Sequence, residues 1–213
     1  MQGQKIQIGE SFVGEGADAA HINTVLGYRE GPVGTAWATS LAMPRPGHVP
    51  FMTVLRPNLP VKPLTLFVNK APIEGDLHAD LTWGAAQAGV AGGVADAVAD
   101  GVISAVDADQ LLLIAAVWVN PKATDPDLVY ANNRAATRKA LENGRTGIPS
   151  VDEMLAHRDH PFNPFFTPAA DLSGPAGLSG PAGLSGSIAQ STPLERVDRA
   201  IESDPSAPPE PHR

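Results

Sequence analysis

Side chains two apart on a β-strand face the same side. In Ala20-His-Ile-Asn-Thr-Val-Leu26 a strand would therefore present His21, Asn23 and Val25 together, with Ala20, Ile22, Thr24 and Leu26 on the other face. This presents a titratable group and a polar amide side by side. Nothing adjacent supplies a nucleophile or a metal cluster, and the same pattern fits a half-exposed strand histidine with no task.

Three further places carry polar groups of interest. Lys70 closes the run Thr65 to Ala71 on the same face as Leu66 and Val68, where it either snorkels from the sheet edge or holds a polar ligand. Gln87 falls on the apolar stripe of a helical pattern, and a buried amide must be hydrogen-bonded, a ligand being one possible partner. His157 and His160 have a helical spacing, but Pro161 and Pro164 interrupt it and no carboxylate or cysteine completes a metal set. No Walker loop and no GxGxxG follows a strand, so nucleotide binding has no support.

The elements that must position these groups read as follows. Lys5 to Val13 and Ala20 to Leu26 both alternate, and the Gly14 to Gly16 turn between them makes a hairpin. Thr35 to Met43 predicts a short helix ended by Pro44 and Pro46. Phe51 to Leu55 and Thr65 to Ala71 predict strands on either side of the proline-rich Arg56 to Pro63 connection. Trp83 to Asp100 is helical with Gly101 as its stop, and Gly89, Gly92 and Gly93 within it suit a place where another backbone or a ligand comes close. Leu111 to Val119 predicts a buried central strand.

The last helix has Asp125 as N-cap, Pro126 at its first position and Asn143-Gly144 at its end. Its basic residues Arg134, Arg138 and Lys139 lie in later turns, where the helix dipole favours them. The order β-β-α-β-β-α-β-α predicts an α+β fold, a two-layer sandwich of a mixed sheet with helices on one face.

The chain has 213 residues, of which 43% are hydrophobic and 18% charged, enough for one sizeable core with an appendage. Its net charge of -8 argues against nucleic acid or an acidic membrane surface as the main partner. The absence of cysteine removes disulfides and thiolate chemistry. No signal-like or membrane-spanning run is present, which makes a cytoplasmic location the expectation.

After residue 165 the composition changes. Leu172-Ser-Gly-Pro-Ala-Gly repeats at Leu178 and begins again at Leu184, predicting a disordered linker over 166–191. Within the last segment, 192–213, Thr192-Pro-Leu-Glu195 has the form of a capping box, and Leu194, Val197 and Ile201 share one helical face. That predicts a short amphipathic helix over 192–202 that folds on docking, either on this protein or on a partner protein.

Four blocks, GEGADAAHINTVLG, RPNLPVKPLTLFVNK, WGAAQAGVAGGVADAVADGVI and the DHPF at 159–162, occur in an order and at intervals that resemble the formaldehyde-activating enzyme family. The resemblance covers about residues 5–162. It implies a ribosomal S5 domain 2-like fold, assembly into homopentameric rings, and condensation of formaldehyde with tetrahydromethanopterin to methylenetetrahydromethanopterin and water in the one-carbon metabolism of methylotrophs and methanogens. Tetrahydromethanopterin would be a co-substrate in a site between subunits, and no metal is implied.

By the same resemblance His21 is the catalytic general acid, and Asn23, Met52, Lys70, Pro72 and Gln87 contact the pterin. Asn23 stands where the family has aspartate, Met52 where it has leucine, and Pro72 where it has threonine. The first change removes a charge and the last a hydroxyl. The implied chemistry is undemanding: a pterin amine attacks formaldehyde, an acid turns the departing hydroxide into water, and the second pterin nitrogen closes on the iminium. The glycine turn would then let the chain approach the ligand closely. The competing reading is a paralogue that binds a pterin, formaldehyde or a partner protein in a sensing or regulatory role without efficient turnover.

Overall fold

A computed structural model describes residues 6–46, 48–164 and 166–169. The Leu172 repeats and the 192–202 segment lie outside the described residues. The chain divides into two units, 1–156 and 157–213. Among the described residues the helices and strands lie in the first, in the order β1 (Gln7–Val13), β2 (Ala20–Tyr28), α1 (Pro32–Ala42), β3 (Phe51–Met52), β4 (Val54–Arg56), β5 (Leu59–Pro60) and β6 (Leu64–Asn69). There follow α2 (Gly75–Asp80), a π-helical segment (Leu81–Ala86), α3 (Gln87–Ala99), β7 (Leu111–Trp118), α4 (Pro126–Thr146) and α5 (Val151–Ala156).

The main sheet has the strand order β1-β2-β7-β6-β3. The predicted hairpin is present, antiparallel from Gln7 opposite Leu26 to Val13 opposite Ala20. β2 runs antiparallel to β7, whereas β6 and β7 are parallel and are joined by the long helical crossover that parallel pairing requires. The class is therefore α+β with a mixed sheet. The segment 51–55, expected as one strand, is divided: β3 pairs with β6, while β4 turns away to form a separate ribbon with β5.

One face of the sheet presents Ile22, Leu26, Phe67, Leu113, Ala115 and Val117, all at most 3% exposed, to Val90, Val94 and Ala97 of α3 and Val129, Ala136, Ala140 and Leu141 of α4. Burying each of the Val, Leu, Ile and Phe side chains among these contributes about 1.5–3 kcal/mol before entropy is set against it. The shorter α1 departs from the expected arrangement. It contacts β2 and β7, and a Cβ built on Gly27, which faces away from Leu26, would lie 2.7 Å from Val33 of α1. α1 therefore lies on the opposite face of the sheet from α3 and α4.

The glycines of the third helix have a definite cause. A Cβ on Gly89 would stand 2.5 Å from the carbonyl oxygen of Tyr130, and one on Gly93 2.5 Å from that of Arg134. The close backbone is thus α4 of the same chain. Arg134 and Arg138 brace this crossing through 2.7 Å bonds to Asp96 and Asp100, partners that a dipole argument does not name.

α4 begins as its sequence predicts, with the Asp125 carboxylate accepting from the N–H groups of Asp127 and Leu128, both at 3.0 Å. Its end lies beyond the expected Asn143-Gly144. The helix continues to Thr146, and Gly147 at φ 70° takes the left-handed capping position. Gly144 serves packing instead of termination, because a Cβ there would meet the β1 backbone at 3.1 Å. The crossover helix also starts earlier than Trp83, since α2 precedes it and its His78 is buried. The His78 ring accepts from Glu74 N–H and donates to the Val119 carbonyl, which makes it a satisfied core histidine.

Candidate functional site

The sheet face opposite α3 and α4 carries the polar groups. Strand register brings Glu10 opposite Asn23, Phe12 opposite His21, Asn23 opposite Ala116 and His21 opposite Trp118. Lys70 stands one residue past the pairing of Asn69 with Val117, and its N–H extends the ladder to the Val117 carbonyl at 2.8 Å. Three strands, β1, β2 and β6, thus aim Glu10, His21, Asn23 and Lys70 at one side.

Their side chains form two contacts. His21 Nε2 lies 3.0 Å from Glu10 Oε1, with the Phe12 ring tilted beside the imidazole at a centroid separation of 6.1 Å. Lys70 Nζ donates to Asn23 Oδ1 at 2.7 Å. Loss of water and then the Lys70 charge hold the His21 pKa below its ordinary value, while the charge of Glu10 and its hydrogen bond oppose them. Burial lowers Lys70 to about 8, against the pull of Glu10. Near neutral pH the imidazole is therefore mostly neutral and the ammonium mostly charged.

The turn before His21 is fixed from behind. Asp18 Oδ1 accepts from the N–H groups of Thr124 and Asp125 at 2.8 and 3.0 Å, and Asn132 Nδ2 donates to the Asp18 carbonyl at 2.9 Å. Gly14 has φ 89°, and a Cβ there would sit 2.5 Å from Asn132. Close approach at this glycine is to α4, which corrects the expectation that the turn makes room for a ligand.

Met52, Pro72 and Gln87 lie elsewhere. Met52 and Gln87 line a cavity of about 550 Å³ with Val49, Phe51, Val54 and Trp83. Pro72 lines a second, of about 280 Å³, with Asn69 and Ile73, and the two cavities share Val49 and Trp83. Neither cavity is lined by His21, Asn23 or Lys70. The partner of the Gln87 amide is the backbone of Val54, whose N–H it accepts at 2.8 Å and whose carbonyl it bonds at 3.2 Å. One lone pair and one N–H remain for a ligand.

Two residues emerge that spacing alone does not single out. Glu10 was legible in principle, since the predicted hairpin already faced its strand toward that of His21. Trp83 sits in the π-helical segment, where Leu81, Thr82 and Ala86 turn inward and the indole stays 50% exposed between the two cavities. Such segments re-aim side chains and recur at functional sites. His157 and His160 lie past α5 in a turn, with His160 N–H donating to the His157 carbonyl at 3.2 Å.

Fold and site together define an α+β protein with a histidine and a lysine on one sheet face and a largely apolar, aromatic-lined cavity. A family model described as formaldehyde-activating enzyme (Fae) matches residues 8–166. The chain is 45% identical over 161 residues to a Methanosarcina barkeri protein named 5,6,7,8-tetrahydromethanopterin hydro-lyase, a match covering 76% of this chain and 90% of that one. It is also 42% identical over 152 residues to the bifunctional enzyme Fae/Hps of Methanococcoides burtonii and 38% identical over 161 residues to that of Archaeoglobus fulgidus. Those matches cover 71% and 76% of this chain but only 38% and 41% of the longer relatives. The chain belongs to the formaldehyde-activating enzyme family.

Proposed function

We propose that this chain is a hydro-lyase that condenses formaldehyde with tetrahydromethanopterin, giving methylenetetrahydromethanopterin and water. The observation that carries the reading is the placement on one sheet face of His21, 3.0 Å from Glu10, and Lys70, 2.7 Å from Asn23, with burial lowering the pKa of both. The condensation needs a neutral imidazole and a charged ammonium at once. Two protons must reach the formaldehyde oxygen before it leaves as water, and both come in the end from the two pterin N–H groups.

His21 takes the first from the attacking amine and returns it to the alkoxide, acting as base and then as acid, while protonation of the departing hydroxide, the step that the resemblance gives to His21, falls here to Lys70. The second is needed before the second nitrogen can release its own. Lys70, held at Asn23, donates it as the C–O bond breaks, and recovers a proton when that nitrogen closes on the iminium. Balanced in this way, the reaction takes up no net proton and uses no covalent enzyme intermediate.

Met52, Pro72 and Gln87 hold the pterin, with Trp83 as the flat wall of its cavity. Neither cavity that these residues line includes His21, Asn23 or Lys70, which suits a site built from two chains with one set from each. A homopentameric ring with sites between subunits fits that arrangement. The test is the initial rate of methylenetetrahydromethanopterin formation with the protein, set against the spontaneous reaction at neutral pH. Acceleration supports the reading. Pterin binding without acceleration favours a binding or regulatory role instead.

A further inference from the structure

Glu10 has no part in the scheme above, yet it holds the contact that defines the histidine. We infer that Glu10 is the positioning residue of the proton-transfer site, holding His21 in the Nε2–H form so that Nδ1 is the atom that takes and returns the proton. The inference rests on the proposed condensation for its chemical meaning, but its geometry stands independently.

A neutral imidazole has one N–H and one lone pair, and whichever nitrogen meets a carboxylate carries the hydrogen. Here that nitrogen is Nε2, 3.0 Å from Glu10 Oε1. Two rigid features set the contact. Full hairpin pairing from Gln7 to Val13 puts Glu10 opposite Asn23, one diagonal step from His21 on the same face, and the Phe12 ring lies against the imidazole.

The charged groups that bear on His21 are Glu10 from β1 and Lys70 from the end of β6, while the facing β7 residues Ala116 and Trp118 carry no charge. They act in opposite directions. Lys70 disfavours the imidazolium formed when His21 takes its proton, and Glu10 stabilises it. Without the carboxylate the histidine would still be present, but it would be a weaker base with either tautomer available.

Glu10→Gln tests this, because it keeps the shape and removes the charge. The full-length chain is labelled with 15N at histidine, and the His21 signals are identified by their loss in His21→Ala. In the wild type at pH 7 the Nε2–H tautomer should dominate. In Glu10→Gln the His21 midpoint should fall by about one pH unit and the tautomers should mix. The rate at saturating substrate should drop about ten-fold or more with KM little changed.

A purely structural glutamate would move neither midpoint nor tautomer. A wild-type spectrum dominated by the Nδ1–H form overturns the inference without any variant, as does a Glu10→Gln chain with the wild-type midpoint and rate. If the wild type fails to accelerate the condensation, the functional proposal falls, while the two spectra still decide whether Glu10 sets the state of His21.

Discussion

Lys70 and Asn23 are bonded at 2.7 Å although their strands are not neighbours. β7 runs between them, and the residue it places opposite Asn23 is Ala116, whose methyl group leaves room for the lysine to cross. The amide holds the ammonium without neutralising it, so burial can draw its pKa to about 8.

A pH profile follows from that state. His21 must be neutral to accept a proton, so kcat/KM should fall on acidification through its lowered pKa, below the usual ~6.5 of histidine. Lys70 must be charged to donate one, so the profile should fall again as pH rises through about 8. Asn23→Asp sets a carboxylate against the ammonium, which favours the charged form and raises the lysine pKa. Its alkaline limb should therefore move up by about one pH unit or more. An alkaline limb unmoved by Asn23→Asp would remove Lys70 as the donor.

The α3–α4 crossing gives a stability prediction. Gly93→Ala gains roughly 1 kcal/mol in helix propensity. It also drives a methyl group to within 2.5 Å of the Arg134 carbonyl oxygen, and such overpacking costs about 1–3 kcal/mol. A net loss in urea denaturation is expected for Gly93→Ala. Gly92→Ala should be neutral or stabilising, since its methyl would meet only the flexible Arg134 side chain.

The sequence made the sheet and its helices legible wherever a single pattern dominated. Alternation in β1 and β2 gave the hairpin, and with it the shared face of His21 and Asn23. The Asp125-Pro126 start gave α4. Patterns failed where one residue type serves two purposes. Gly144 reads as a stop but is a packing glycine, and Gly89 and Gly93 read equally as room for a ligand or for another backbone until α4 is seen against them. The site was harder still. Glu10 meets His21, and Lys70 meets Asn23, only through strand register, and Trp83 is aimed by a π-helical segment that a 3.6-residue period does not reveal. Resemblance, more than spacing, brought Met52 and Pro72 into view, whereas Gln87 already stood out as a polar group on an apolar helical stripe.

If two chains complete one site, assembly and activity are coupled. Light scattering should show a species of about five times the 22.1 kDa chain. Mixing His21→Ala with Trp83→Ala after reversible dissociation should restore activity, because some interfaces then combine an intact proton-transfer pair with an intact cavity. A lone 22.1 kDa species at micromolar concentration, or no recovery on mixing, would place the whole site on one chain.

The most direct measurement is the rate of condensation at pH 7 for the wild type and for His21→Ala, each compared with the spontaneous reaction and each shown by circular dichroism to be folded. His21 sits on the open face, 37% exposed at its side chain, so its loss leaves the core untouched. The wild type should accelerate the reaction, and the variant should lose about 10²–10⁴-fold of that acceleration. A folded His21→Ala that keeps the wild-type rate would contradict the central role given to this histidine.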